Sequence, residues 1–401
     1  MTKVEKKVLE FIEKHVHVIF AVAVVLIGTF MRMAGRHFVS KDAGLFLLNW
    51  YDEIAENGIS KQVGDYNIPY QILIYLMTKL PINVLSAFKM VSCIFDLGIA
   101  LLAGLFAHTV SQREKQRNAV LAFTFVFCSP IVIMNSAVWA QCDAIYAFFA
   151  LAALLMLFKE KYILSFVLWG LSLAFKLQAI YLLPFYLIYY VCRKKYSLLH
   201  FLVVPPTVVL ASLPGLLAGR RFMEVIDIYV NQTKAWDVLY INYANVYALV
   251  ADSEVRGNYE MFRNFAMFLT LLLLGIGLYQ CVCRKAQLQH PKEFWGMVIW
   301  TLFTCNFFLT NMHERYAYLL EIIAILYCFI TTKGIPLAVF LNLASIFTYA
   351  YFLFAYRAVS LNVAALAVFL LYAVFSVWMF RCVLGEEQGK MDRIVDTEDR
   401  D

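Results

Sequence analysis

His313, Glu314 and Arg315 stand side by side in "NMHERYAYLLE", residues 311 to 321, between two apolar stretches. A charged side chain inside a bilayer costs roughly 2.5–3.5 kcal/mol, so such a knot usually faces a partner or a wet cavity. Similar groups collect at the ends of other apolar runs. They are Asp42, Asp52 and Asp65; Trp139, Gln141 and Asp143 in "NSAVWAQCDAIY"; and Lys176 with Gln178 in "AFKLQAIYLLPF". Cations in such a set could stabilise the charge that develops on a departing lipid phosphate, while a carboxylate takes the proton of an attacking hydroxyl. Plainer roles compete with that chemistry. Lys176 can snorkel to headgroups, Asp143 can cap the helix after it, and Trp139 can be an interfacial aromatic. His313, Glu314 and Arg315 can be a structural ion pair. Proton-coupled transporters draw on the same residue types, which keeps a polytopic transporter or lipid flippase as the rival class.

The elements that must position these residues are membrane helices. The chain has 401 residues, 62% of them hydrophobic and only 15% charged. Its apolar residues come in runs of about 15 to 25, the length that crosses a hydrocarbon core roughly 30 Å thick. An all-α polytopic membrane protein follows, with about twelve spans near 16–34, 84–108, 119–135, 143–158, 162–176, 178–192, 198–218, 262–283, 294–311, 315–331, 335–356 and 359–382. Lys/Arg clusters in "QREKQR", "KEK", "CRKKY" and "CRK" then fall on one side, which the positive-inside tendency assigns to the cytoplasm. The net charge of +6 is accounted for by those loops, so it gives no reason to expect nucleic-acid binding.

Residues 1–383 read as one integral domain with two large outer loops, 35–83 and 219–261, and a polar tail at 384–401 expected to be disordered. Residues 3–14, "KVEKKVLEFIEK", suit either a short helix on the membrane surface or a solvated helical lead-in. The segment around 70–83 is short for a span and reads as a helix along the outer surface. Pro205-Pro206 and Pro214 are expected to kink the seventh span. Nine cysteines without paired metal spacing read as free thiols.

Several stretches, in order, resemble the GT-C superfamily of polytopic glycosyltransferases. The likeness is greatest to the glucosyltransferases of N-glycan assembly that use dolichyl-phosphate glucose, and to bacterial relatives of the GPI-anchor mannosyltransferases. "SKDAGLFLLNWYDEI" looks like the start of the first outer loop, with Asp42 at the position taken as catalytic base. "GDYNIPYQILIYL" resembles an Asp-Tyr-Pro-Pro segment, matching Asp65, Tyr66 and Pro69. "KMVSCIFDLGIALL" is similar to the second span, with Asp96 at an acidic position. "FKLQAIYLLPF" and "HERYAYLL" are similar to the Phe-Lys-Gln and His-Glu-Lys stretches. The chain departs in having Ile68 where a second proline is frequent, Lys-Asp-Ala-Gly around Asp42, and Arg315 for a lysine.

The resemblance implies an inverting hexosyltransferase. It would use a polyprenyl-phosphate sugar donor and a glycan or glycolipid acceptor, in a multi-pass plasma membrane with its active site outside, in a bacterium. Asp42 would be the base. His313, Arg315 and Lys176 would hold the donor phosphate. Asp65, Tyr66, Trp139, Gln141, Asp143, Gln178 and Glu314 would line the substrate pocket. Asp52 and Asp65 compete with Asp42 for the base. No cofactor is expected. A divalent metal is not required in principle, although Asp42, Asp65 and Glu314 could bind one.

Overall fold

A computed structural model describes residues 1–233, 236–255 and 257–385. Sixteen α-helices follow one another among these residues. They are α1 (Lys3–Ala34), α2 (Leu48–Asn57), α3 (Ile68–Met77), α4 (Val84–Val110), α5 (Lys115–Phe127), α6 (Pro130–Ile133), α7 (Asp143–Phe158) and α8 (Tyr162–Phe175). The second half holds α9 (Leu183–Arg193), α10 (Val204–Leu217), α11 (Glu224–Thr233), α12 (Tyr259–Cys283), α13 (Pro291–Phe308), α14 (Tyr318–Tyr327), α15 (Ile335–Phe354) and α16 (Leu361–Trp378). One feature is not helical: β1 (Tyr240–Ile241) pairs in parallel with β2 (Met312–His313).

Six helical stretches among the described residues are long and apolar enough to cross a membrane: α1, α4, Leu198–Leu217, α12, Thr332–Phe354 and Leu361–Val383. Their outward faces carry exposed Leu26, Phe30, Ile94, Phe268 and Val374, an arrangement suited to lipid. A seventh candidate is bent by 46° between α5 and the Pro130–Val138 stretch, where Pro130 interrupts the expected 119–135 span. Other expected spans are the shorter apolar helices α7, α8 and α14, and Leu177–Arg193. Helix α13 is the hub, buried at every position from Glu293 to Phe308.

Of the two readings of the N-terminal region, the structure has the helical lead-in. Residues 3–14 are not a separate surface helix but the exposed first turns of α1, which runs unbroken for 32 residues. No proline or glycine interrupts the join with the apolar run, so helical hydrogen bonding continues through it. At 1.5 Å per residue the helix is about 48 Å long, some 18 Å more than a hydrocarbon core. Its second half packs on α5, where Gly28 lets the Phe127 ring approach to a distance that would put an added Cβ 2.6 Å from it.

The segment read as a surface helix is α3, ten residues and too short to span. Pro205 and Pro206 sit where a 3-10 turn becomes α10, while Pro214 lies inside α10, near its end. A clamp unforeseen from sequence joins the two large loops. Arg220 donates to the Ile59 and Lys61 carbonyls at 2.6 Å each, to Gln62 Oε1 at 2.8 Å and to Gln71 Oε1 at 2.6 Å. None of the nine cysteines, all within the described residues, forms a disulfide. Of the polar tail, residues 386–401 lie outside the described residues.

Candidate active site

Four chain segments converge on Arg315. Asp42 enters at the start of a π-helical turn, Ala43–Leu47. Ser40 fixes that entry twice: its hydroxyl donates to the Trp139 carbonyl at 2.8 Å and accepts from the Ala43 amide at 3.1 Å. Trp139 and Gln141 flank Ala140, whose φ of 67° is in the left-handed region. That reversal turns both side chains toward Asp42. Trp139 Nε1 donates to Asp42 Oδ2 at 3.0 Å and Gln141 Nε2 to the same oxygen at 2.8 Å. Tyr66 completes the wall by donating its hydroxyl to Gln141 Oε1 at 3.0 Å.

Arg315 bridges two carboxylates. Its Nη1 lies 3.3 Å from Asp42 Oδ2 and its Nε 3.6 Å from Asp143 Oδ2, with the guanidinium carbon 5.5 Å from the centre of the Trp139 ring. Asp143, fully buried in the first turn of α7, also pairs with Lys176 through Oδ1 and accepts from Asn135 Nδ2 at 3.0 Å. Lys176 reaches it because the chain is extended there, between α8 and the 3-10 turn Leu177–Leu182. Both Asp143 oxygens are therefore committed. Asp42 differs: all its hydrogen bonds fall on Oδ2, and Oδ1 is neither buried nor bonded to protein among the described residues.

The segment bearing Arg315 is held by backbone. The Asn311 amide donates to the Val238 and Leu239 carbonyls at 3.1 and 3.0 Å, and β2 pairs with β1. Asn245 Nδ2 and the Tyr247 hydroxyl reach the Leu309 and Phe308 carbonyls at 3.3 and 2.8 Å. Sequence reasoning missed Asn245 and Tyr247, because neutral side chains that bind backbone 64 and 61 residues away leave no local pattern, and it missed Asn135, a neutral amide whose partner is the Asp143 carboxylate. Burial and the nearby positive charges of Arg315 and Lys176 push the His313 ring well below its usual range, so it is neutral at pH 7. Glu314 is buried, with Oε2 unpartnered, and that burial pushes its carboxyl up to about 8. The 4.0 Å approach of His313 Nδ1 to Glu314 Oε2 is thus a contact of neutral groups at pH 7, not the ion pair one reading of the sequence expects.

These shifts give stability a pH dependence. Between its ordinary value of 4.5 and about 8, Glu314 keeps a proton in the folded chain that the unfolded chain has released, so stability falls as pH rises through that window. His313 acts oppositely, and only below about 6.5, where the unfolded chain binds a proton the folded ring refuses. We expect the detergent-solubilised protein to lose thermal stability from pH 6.5 to 8 and Glu314→Gln to flatten that slope. Parallel slopes for the two proteins would remove Glu314 as the cause.

Some expected pocket residues are placed otherwise. Trp139 is fully buried, stacked on Phe352 at 4.5 Å and edge-on to Tyr349 at 5.1 Å, so its face cannot meet a ligand; Asp143 is equally enclosed. They support Asp42 and Arg315 instead of lining a pocket. Gln178 is half-buried and makes no side-chain hydrogen bond to the cluster. Asp52 is exposed in a groove with Arg36 and His37, apart from the hydrogen bonds around Asp42. Asp65 is exposed at its surface but ringed by enough protein that desolvation raises its carboxyl, against the lowering pull of Arg315 and Lys176. Among the described residues, no three His, Cys, Asp or Glu side chains are grouped to hold a metal ion. No protein-family model and no curated protein matches the chain.

Proposed function

We propose that the chain is a membrane glycosyltransferase of GT-C type that moves a hexose from a polyprenyl-phosphate sugar to a hydroxyl of a lipid-linked or cell-surface glycan. The observation that carries this reading is the asymmetry of Asp42. One oxygen is fixed by Trp139, Gln141 and Arg315, and the other is open. A carboxylate so held is oriented to take a proton from an acceptor hydroxyl. The acceptor oxygen then bonds to the anomeric carbon from the face opposite the phosphate. The bond from that carbon to the phosphate oxygen breaks, and the lipid phosphate leaves with the electron pair.

Arg315 couples the two ends of that step. Its Nη2 has no protein partner among the described residues, and its Nη1 is shared with Asp42. As Asp42 takes the proton its hold on Nη1 weakens, and the guanidinium charge turns toward the departing phosphate. Guanidinium geometry suits two phosphate oxygens at once. Lys176 and the neutral His313 ring supply further donors. In this reading α7, α8, α9, α13 and α14 bring the crossings to about twelve. The Lys/Arg asymmetry puts Asp42 and Arg315 on the extracytoplasmic side of a bacterial plasma membrane.

The test is a reconstituted wild-type protein offered a panel of polyprenyl-phosphate hexoses with a glycolipid acceptor. Transfer from one of them with inversion at the anomeric carbon is expected. Failure with every donor would remove the proposal.

A further inference from the structure

A second polar site stands where α1 ends and α4 begins. An open groove of about 580 Å³ is lined there by Arg36, His37 and Asp52, with Asn83 and Ser86 opposite and Val39 among its apolar walls. Its size lies within the roughly 300–1,000 Å³ typical of small-molecule sites. The floor is rigid, because the buried Lys89 ammonium donates to the Gly35 and Phe38 carbonyls at 2.7 Å each. With the backbone held from behind, Arg36 and His37 project outward and are exposed.

The charges in this groove do not neutralise one another. Arg36 spends only its Nε, on His37 Nε2 at 2.8 Å, and among the described residues neither Arg36 nor Asp52 has an ion-pair partner. A positive and a negative group thus border one concave space with room between them. Below it, Phe30 and Met33 on α1 and Met90 and Ile94 on α4 are exposed, on two helices long enough to cross a membrane. The groove therefore sits at headgroup level above an apolar flank.

We propose that this groove binds the headgroup of a zwitterionic aminophospholipid, with the phosphate on Arg36 and the primary ammonium on Asp52. Guanidinium matches a phosphate diester bidentately, and an ammonium with three N–H groups can donate to a carboxylate where a quaternary amine cannot. Phosphatidylglycerol, the anionic lipid with the same phosphate diester, satisfies Arg36 but offers Asp52 only neutral hydroxyls in place of a cation. The acyl chains lie along the apolar flank of α1 and α4. The groove shares the segment from Val39 to Asp52 with the Asp42 site, so an occupied groove braces that segment from its far side. The proposal does not depend on the transferase reading.

The test is lipid retention in nanodiscs made from equal parts of phosphatidylethanolamine, phosphatidylcholine and phosphatidylglycerol, read by native mass spectrometry of the released protein. Wild type is expected to keep phosphatidylethanolamine preferentially. Arg36→Gln and Asp52→Asn, both at exposed positions that leave the fold untouched, are each expected to lower that preference about fivefold. Soluble phosphoethanolamine, lacking acyl chains, is expected not to displace the lipid. Equal retention of the three lipids, preference for the anionic lipid, displacement by the soluble headgroup, or an Asp52→Asn protein that keeps its preference would each overturn the assignment.

Discussion

Asp42→Asn is expected to fold, to bind the donor, and to transfer hexose about 10²- to 10⁴-fold more slowly, the range a general base contributes. The substitution keeps the shape of the side chain and leaves one acceptor oxygen for Trp139 and Gln141. It removes the negative charge opposite Arg315 and the oxygen able to take a proton. The loss should fall on kcat, with KM for the donor nearly unchanged, because proton removal matters in the transition state and little in donor binding. Arg315→Ala should do the reverse in part, raising KM as well, since the guanidinium would meet phosphate before and during transfer. Transfer by Asp42→Asn at the wild-type rate would dismiss Asp42 as base and bring Asp65 forward.

Arg32→Ala is expected to destabilise the protein by about 3–5 kcal/mol, the cost of leaving one member of a buried ion pair uncompensated. Arg32 donates to Asp96 Oδ2 through Nε at 3.1 Å and Nη2 at 2.9 Å, and its guanidinium carbon lies 4.1 Å from the centre of the Phe127 ring. Ser136 Oγ adds a bond to the same oxygen at 2.5 Å, and the Tyr318 hydroxyl lies 3.4 Å from Oδ1. One carboxylate thus ties α1, α4, the turn before Trp139 and the helix after Arg315. The resemblance offered Asp96 only as an acidic position of a family span; the structure places it in this lock, away from Asp42. The double variant Arg32→Met, Asp96→Asn should recover most of the stability, because no unpaired charge remains inside. Equilibrium unfolding in detergent checks both. A cost for Arg32→Ala below about 1 kcal/mol, the size of an exposed pair, would show that Asp96 finds other company.

Hydropathy and the run lengths made the helical membrane architecture legible, since lipid demands long apolar stretches with internal hydrogen bonding. They did not fix the number of crossings, because α7 and α14 are apolar, short and largely buried in protein, and an apolar run reads alike whether protein or lipid surrounds it. The site was legible where ionisable residues interrupt apolar runs, which is how Asp42, Lys176 and Arg315 came to notice. What escaped was depth. The letters W and D at 139 and 143 do not say that one is sandwiched by aromatic rings and the other enclosed by two cations. Arg220 and Asn245 escaped for a related reason: each serves a distant backbone, and only tertiary geometry reveals such partners.

The Asp42–Arg315 contact also orders the molecule in time. Its partners stand 273 positions apart, whereas Arg32, Asp96 and Ser136 can all meet once the first third of the chain has left the ribosome. A nascent chain can therefore settle its early helices around that interior pair while Asp42 still waits for its cation. Any product truncated before residue 315 would carry the scaffold of the site without its charge balance.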